Sequence, residues 1–346
     1  MSAPLGVALV GAGGIGVLRA RAVAKTPGLS LSVVSDVRKE TAEAVARRHG
    51  AAAVTDYREA VKRDGVEVVV VSTPPDTHAD VTLAALEAGR HVLCEKPLAR
   101  SVAEGEAMCA AADSRGLLLF TGFNHRFFPA FARLHDLVTS GSLGEVRAAH
   151  AFAGHQGGAE FGNSWVTDAR RTGGGCLVDN GIHLLDLVRH VAGDAENASG
   201  RVSSLQWRFD GAEDDAFALF RLAGGGLATV HSTWAEWRGY RFWLEVVGTK
   251  GYARAFYPPM FLEVGRSEPE KRAKRRFDLF PALQVRERLR GFESTIVASF
   301  VTELGGLGAA VAGKPGVGAT GRDGLMALRM AAAVYRSARE GVEVSV

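Results

Sequence analysis

The chain has little cysteine, little net charge and no long hydrophobic run. Its three cysteines, Cys94, Cys109 and Cys176, are odd in number, far apart and set among apolar or glycine-rich neighbours. That argues against a disulfide framework or a zinc site and for free thiols in a reducing compartment. Lys+Arg number 41 and Asp+Glu 38, leaving a formal net charge of +3 over 346 residues. Neither nucleic acid nor an anionic membrane is implied by that balance. The densest basic run, Lys271, Arg272, Lys274, Arg275 and Arg276, reads first as a solvated loop and second as a contact for a phosphate-bearing ligand or another subunit. The apolar run from Val66 to Val71 is interrupted by Glu67 and is too short to span a bilayer. The opening MSAPLGVALVG lacks the basic segment and the apolar length of a signal peptide. No repeat or low-complexity segment is present, and a cytoplasmic protein is expected.

What the chain does have is length enough for about two domains. Apolar, β-branched runs at 6–10, 29–35, 66–72, 91–94 and 117–121 alternate with helical patterns near 15–26, 39–49, 77–89 and 101–115, several closed by a glycine such as Gly50, Gly89 or Gly116. Strands apolar on both faces and separated by single helices describe an α/β, doubly wound parallel sheet. This first domain is placed at 1–122. The remainder, 123–346, changes character. Helices are expected near 128–140, 174–191 and 285–303, with a last one near 320–340. They accompany long alternating strands at 146–154, 202–209, 216–223, 227–237 and 241–248. Such strands suit a large open, mostly antiparallel or mixed sheet with helices on one face.

The first strand runs straight into Gly11-Ala12-Gly13-Gly14-Ile15-Gly16, a G-x-G-x-x-G. In 42 glycines that pattern alone is weak, but here a strand precedes it, a helix follows, and Asp36 closes the next strand. Gly11 permits a tight turn, Gly13 lets backbone approach a pyrophosphate, and Gly16 lets helix and strand pack closely. The amides of Gly14 and Ile15 would meet the phosphates. Asp36 can accept the hydroxyls of an adenine ribose and repel a 2′-phosphate, which favours NAD. Arg38 keeps NADP open, because a guanidinium can compensate that phosphate. The third strand ends in Ser72-Thr73-Pro74-Pro75-Asp76-Thr77-His78, a loop expected to face the cofactor through Ser72, Thr73, Pro74 and His78 or to serve as a rigid connector.

The next strand ends Cys94-Glu95-Lys96-Pro97, which puts Glu95 and Lys96 on the same rim. A lysine there can share a proton with a substrate hydroxyl or polarise a carbonyl; the alternative is a rim lysine in solvent. A second cluster is Gly173-Gly174-Gly175-Cys176-Leu177-Val178-Asp179-Asn180-Gly181-Ile182-His183. On one helix over 174–191, Asp179 and His183 are i, i+4 neighbours, and a carboxylate beside a histidine can orient proton exchange near neutral pH. A helix-surface pair or a metal site would use the same spacing, but no third ligand cluster accompanies it, so no metal is expected.

Together these motifs resemble the glucose–fructose oxidoreductase / inositol dehydrogenase / MocA (Gfo/Idh/MocA) family of NAD(P)-dependent sugar and polyol oxidoreductases. The resemblance is carried by GAGGIG, Asp36, STPPDTH, EKP at 95–97, GFNHRFFP at 122–129, the 173–183 segment, GTKG at 248–251 and DGLMALRMAAAVYRSAREG at 323–341. It implies a Rossmann domain followed by an α/β domain whose sheet forms a homo-dimer or homo-tetramer. It also implies catalytic positions at Lys96, Asp179 and His183, with Arg126 close to the substrate and His155, Asn163 and Trp165 in its wall. In that reading His183 exchanges the alcohol proton, Lys96 positions the oxygen, and Asp179 orients the pair. Arg19 departs from the histidine many relatives carry, and is expected either to touch phosphate or to extend into solvent. The function implied is hydride transfer between nicotinamide and a secondary hydroxyl or ketone of a sugar, cyclitol or sugar derivative. Reduction of nucleotide-linked ketosugars, glycoside processing with tightly held NAD, and a non-catalytic NAD-binding sensor are the alternatives.

Overall fold

The computed structural model describes residues 3–157, 164–209, 211–266 and 274–346. In chain order the leading elements are β1 (Leu5–Val10), α1 (Gly14–Val23), β2 (Leu29–Ser35), α2 (Lys39–His49), β3 (Ala52–Val54), α3 (Tyr57–Lys62), β4 (Val66–Val71), α4 (His78–Glu87), β5 (His91–Cys94), α5 (Val102–Arg115) and β6 (Leu119–Thr121). Then come α6 (Pro129–Thr139), β7 (Val146–Gly154), α7 (Ala169–Thr172), α8 (Cys176–Asp179), α9 (Gly181–Ala192), β8 (Ala195–Ser203), β9 (Asp215–Leu222), β10 (Leu227–Thr233), β11 (Arg241–Gly248), β12 (Gly251–Tyr257), β13 (Phe261–Arg266) and β14 (Lys274–Leu279). The chain ends with α10 (Pro281–Arg290), α11 (Glu293–Val311), β15 (Ala319–Thr320), α12 (Gly321–Glu340) and β16 (Val344–Ser345).

Two compact units result: Met1–Asn124 with Arg290–Leu325, and His125–Leu289 with Met326–Val346. The first holds the parallel strands in the order β6-β5-β4-β1-β2-β3, with β15 pairing antiparallel at the β6 edge. The chain winds one way from β1 to β3 and the other from β4 to β6, so the carboxyl ends of β1 and β4 flank a switch point where such sheets bind ligands. Val7, Leu9, Val68, Val70 and Leu93 fill the sheet between α1, α2 and α11. Placing everything after residue 122 in a second domain overlooked this return: Val297, Phe300, Leu304 and Leu307 of α11 lie in the first core. By length and composition α11 could cross a membrane, yet that face is packed against α1 and β-strands.

The reason α11 belongs there is also ionic. Arg19 of α1 is fully buried, donating Nε to Glu95 Oε1 at 2.6 Å and Nη1 to Glu303 Oε2 at 2.5 Å. Its guanidinium carbon lies 3.6 Å from the centroid of the Phe300 ring. Both sequence expectations for Arg19, phosphate contact and solvent, are thereby overturned. Burial by itself would push its pKa down; the two carboxylates override it and hold the guanidinium above its ordinary value.

In the second unit a nine-stranded sheet runs β14-β13-β12-β11-β7-β10-β9-β8-β16. Every pair is antiparallel except β7 with β10. Alternation decides its faces. Ala218, Phe220, Ala228, Val230, Phe242, Leu244 and Val246 are buried on one side, whereas Phe217, Leu219 and Leu227 are exposed on the other. Two expected elements come out differently. The strand over 202–209 stops at Ser203, because Asp214 takes the amides of Leu205, Gln206 and Trp207 with its side chain. The helix over 285–303 is two helices parted at Gly291, whose φ of +73° suits glycine.

Replacing Arg19 with methionine would leave two carboxylates facing each other out of water. We expect Arg19→Met to lower unfolding stability in urea by about 3–5 kcal/mol. A loss within experimental error would mean that the triad does not hold α1, β5 and α11 together.

Candidate active site

In the first unit the glycine turn has the shape a dinucleotide needs. Gly11 has φ +91°, and a Cβ there would sit 2.6 Å from the Ser72 backbone. A Cβ at Gly16 would stand 2.0 Å from the Gly11 carbonyl, so only glycine lets α1 press onto the turn. Around Gly13 and Gly14 the reverse holds, with no atom within 4 Å of an added Cβ. That open backbone lies at the start of α1, where the first amides have no intrahelical acceptor, and it fits a pyrophosphate. Ile15 on the same turn is half-exposed. Asp36 braces the turn, accepting the Ala12 amide at 2.9 Å on Oδ2 and the Arg38 amide at 2.9 Å on Oδ1. Arg38 itself lies mostly in solvent with its Nε 3.7 Å from Asp36. An exposed guanidinium already facing a carboxylate is a poor counter-ion for a 2′-phosphate, and Asp36 keeps the geometry of a ribose acceptor.

The neighbouring rim is held by buried polar contacts. Ser72 donates its amide to the Val10 carbonyl at 2.7 Å, fastening the loop of Ser72, Thr73 and Pro74 to the end of β1. His78, expected on the cofactor edge, is fully buried with both ring nitrogens 2.8 Å from backbone carbonyls, Nδ1 at Pro97 and Nε2 at Thr73. It therefore serves that edge through the two loops it ties together. Burial pushes its imidazole below its ordinary pKa, and the two carbonyls pull the other way without cancelling that effect. Glu95, also expected against the cofactor, gives Oε1 to Arg19, and its Oε2 lies 3.3 Å from the Lys96 amide. Lys96 is half-buried, and Lys96–Pro97 is a cis peptide.

The second unit gathers a separate cluster. The expected helix over 174–191 is broken at Asn180 into α8 and α9. Glu213 caps the start of α8: buried, it accepts the Gly175 amide at 2.8 Å, the Leu177 amide at 2.9 Å and the Tyr335 hydroxyl at 2.9 Å. Desolvation raises its carboxyl above the usual range despite these donors. At the break Gly181 approaches β10 so closely that a Cβ would meet Ser232 at 2.9 Å. Asp179, at the end of α8, accepts the Trp234 indole N–H at 3.3 Å on Oδ2, and His155 Nε2 is 3.9 Å from the same oxygen. His183 is buried on the first turn of α9, its ring 4.0 Å from that of His125, whose Nε2 lies 3.3 Å from the Tyr240 hydroxyl.

Arg126, expected close to the substrate, has its guanidinium engaged within the second unit. It is buried and bidentate on Asp186, three residues beyond His183, at 2.8 and 2.5 Å, so it braces α9. Trp165 is 41% exposed on a short 3-10 turn, Trp165–Thr167. Asn163 lies outside the described residues, as do Lys271 and Arg272 of the basic run. The sequence reading missed Trp234, His125, Tyr240 and Glu213. HSTWAEW at 231–237 was read as strand throughout, and only the end of β10 at Thr233 turns Trp234 toward Asp179.

Comparison with known proteins agrees with both halves of this description. Residues 5–123 match the oxidoreductase family with an NAD-binding Rossmann fold, GFO/IDH/MocA, and residues 131–254 match the C-terminal domain of the same family. A scyllo-inositol 2-dehydrogenase (NAD(+)) of Bacillus subtilis (strain 168) is 30% identical over 252 residues, covering 70% of this chain and 71% of its own. A D-glucoside 3-dehydrogenase of Escherichia coli (strain K12) is 39% identical over 197 residues, 56% of this chain and 55% of its own. Among solved structures, a levoglucosan dehydrogenase in complex with NADH superposes with a TM-score of 0.89 at 25% identity, covering 99% of each chain.

The lowered pKa of His78 has a signed consequence. Its contribution to stability is present above the unfolded value of about 6.5 and is lost as pH falls from there through the lower folded value. We expect the melting temperature to drop between pH 7 and pH 5, and His78→Asn to melt lower at pH 8 but with a shallower fall in acid. An unchanged slope in that variant would remove His78 from the acid response.

Proposed function

The chain belongs to the GFO/IDH/MocA family of oxidoreductases, and from that premise we propose that it oxidises a secondary hydroxyl of a sugar, cyclitol or sugar derivative, or reduces the matching ketone. The observation that carries the reading is that the first unit holds an open glycine turn braced by Asp36, and the second holds Asp179 at the end of α8 and His183 on the first turn of α9. Bound NAD supplies the acceptor for the hydride leaving the carbinol carbon. Gly13, Gly14 and the first amides of α1 would hold its pyrophosphate, and Asp36 its adenine ribose. Ser72, Thr73 and Pro74 would line the edge between them.

The remaining work is proton handling. His183 takes the proton of the substrate hydroxyl as the C–O bond becomes a carbonyl, and returns it in the reverse direction. Lys96 donates to the same oxygen and fixes where it lies. Asp179, itself held by the Trp234 indole, orients the pair. His155 and Trp165 are the candidates for contact with the substrate ring, while Arg126 acts through Asp186 on the helix of His183. Similarity to a D-glucoside 3-dehydrogenase favours a ring hydroxyl over an open-chain polyol. The three buried cysteines, none in a disulfide, suit a cytoplasmic setting.

The outer face of the second sheet supports self-association. Phe217, Leu219 and Leu227 are 52%, 43% and 46% exposed on adjacent strands, and the first two line a shallow depression with His150, Phe152, His231 and Trp243. A contiguous apolar face of this kind is better covered than wet. We infer a homo-oligomer built through it.

Two outcomes are expected. His183→Ala and Lys96→Ala should each lose about 10²–10⁴-fold in turnover while still quenching or enhancing NADH fluorescence as the unmodified protein does. Full activity in both would sink the assignment. Phe217→Glu should shift the mass seen by light scattering from an oligomer to a monomer; a protein already monomeric at micromolar concentration would refute the interface.

A further inference from the structure

Asp179 stands at the inner end of a run of aromatic rings, of which the reaction described above uses only the first, Trp234. Trp234, fully buried, holds Asp179 through its indole N–H. Phe209 meets Trp234 edge-on with centroids 6.0 Å apart, Trp207 lies within 10° of parallel to Phe209 at 6.4 Å, and Trp237 is 6.3 Å from Trp207. Exposure rises outward along the run, from none at Trp234, through half-buried Phe209 and Trp207, to 59% at Trp237.

The segment carrying Trp207 and Phe209 is built to keep its shape. Asp214, almost wholly buried, accepts three successive amides, from Leu205 at 3.3 Å, Gln206 at 2.9 Å and Trp207 at 2.7 Å. The Trp207 indole N–H donates to the Trp234 carbonyl at 2.9 Å, which fixes the ring as well as the backbone. Between the two aromatics Arg208 adopts φ +53°, the only non-glycine residue in the left-handed region among the described residues. Side chains other than glycine rarely occupy that region, and where they do the surroundings hold them there, often around a ligand clamp. Beside the rings is a polar rim. Glu236, buried, accepts Arg238 Nε and Nη2 at 2.8 Å each and donates its own amide to the His155 carbonyl at 3.1 Å. Arg238, held this way, is left largely in solvent next to Trp237.

Trp237 is tilted 46° to Trp207, so the run presents successive ring faces and not one plane. Exposed ring faces with a guanidinium one residue away in the chain match one ligand chemistry well. A pyranose or aryl ring lays a C–H or π face on indole and turns its hydroxyls toward the rim, whereas a small acyclic polyol has no such face. One ring reacting beside Asp179 would leave Trp207 and Trp237 uncovered, because they stand two and three rings beyond Trp234. We propose that Trp207, Phe209 and Trp237 form a subsite for the second, non-reacting ring of a glycoside, so that the preferred substrate carries a ring linked to the sugar that is oxidised. This rests on the reading of Asp179 and His183 as the reaction centre.

The test compares ligands with one ring and two on the full chain with saturating NAD: methyl glucosides, phenyl glucosides, and the disaccharides maltose and cellobiose. The two-ring compounds should exceed the methyl glucoside of the same anomer in kcat/KM by about tenfold. Trp237→Ala should collapse that ratio and Trp237→Phe should retain it. Binding to His183→Ala, followed by tryptophan fluorescence, reads the subsite without turnover. Tighter binding of two-ring ligands there, lost on adding Trp237→Ala, upholds the subsite even if the unmodified protein oxidises none of them, in which case the proposed reaction falls alone. Oxidation of methyl glucosides with equal binding of one-ring and two-ring ligands would overturn the subsite and leave the reaction standing. A ratio that ignores Trp237→Ala while that variant changes the mass in light scattering would likewise overturn it, assigning the aromatic run to a second copy of the chain. Preference for phenyl over glucosyl, or the reverse, identifies the kind of second ring.

Discussion

A single guanidinium without access to water fixes the geometry of the first unit. Arg19 joins the helix that follows the glycine turn, the strand end that presents Lys96, and a helix from the far end of the chain. Taking one cation and two anions out of water is unfavourable, and buried ion pairs seldom outperform an apolar core in stability. Their strength lies in intolerance. Any displacement of α1, β5 or α11 leaves a charge uncompensated in a low-dielectric interior, so the three segments keep one arrangement. The packing around the triad is correspondingly tight: a Cβ on Gly122 would come within 2.8 Å of the guanidinium and 3.0 Å of Glu95. Through Glu95 the constraint reaches the backbone of Lys96, and through His78 it reaches the loop after β4.

The second unit obtains rigidity from carboxylates that face backbone amides. Glu213 and Asp214 are consecutive and point their oxygens at different segments, Glu213 at the turn entering α8 and Asp214 at the aromatic segment 205–207. A pair of neighbouring acids thereby sets both the position of Asp179 and that of the rings leading away from it. The Tyr335 hydroxyl adds a third donor to Glu213 from α12, bringing the last helix into the same arrangement. Buried carboxylates are tolerated here because each oxygen meets amide or hydroxyl donors.

How much of this could be read from the residues depended on distance along the chain. The glycine turn and Asp36 were legible because their chemistry is local: a strand, a turn, a helix and an acid follow one another within a few dozen residues. The alternation in β9, β10 and β11 was legible for the same reason. Arg19 was not, because its partners are 76 and 284 positions away, and an arginine on a helix ordinarily seeks solvent. The break at Asn180 was hidden as well. Residues 174–191 carry a helical pattern, and the close approach of Gly181 to Ser232 on β10, where the break falls, leaves no mark in that pattern. For α11 the apolar face was visible, but a hydrophobic stripe does not state which core it enters. Trp207 and Trp234 carried no signal of their own, since a tryptophan in an alternating segment reads as ordinary strand.

The return of residues 290–325 to the first unit bears on how the chain is made. Synthesis delivers β1 through β6 early, with the glycine turn and Asp36 already in place, but Phe300, Leu304 and the Glu303 carboxylate only after every strand of the second sheet except β16 has been added. Until then Arg19 has one of its two carboxylates, and α1 shows an apolar face with nothing to cover it. The nucleotide-binding half therefore cannot finish as an independent N-terminal domain, as multidomain chains generally do. Its last contacts are among those farthest apart in sequence, which makes them slow to form. A nascent chain would hold the turn that recognises the cofactor well before it has the core that keeps the turn rigid.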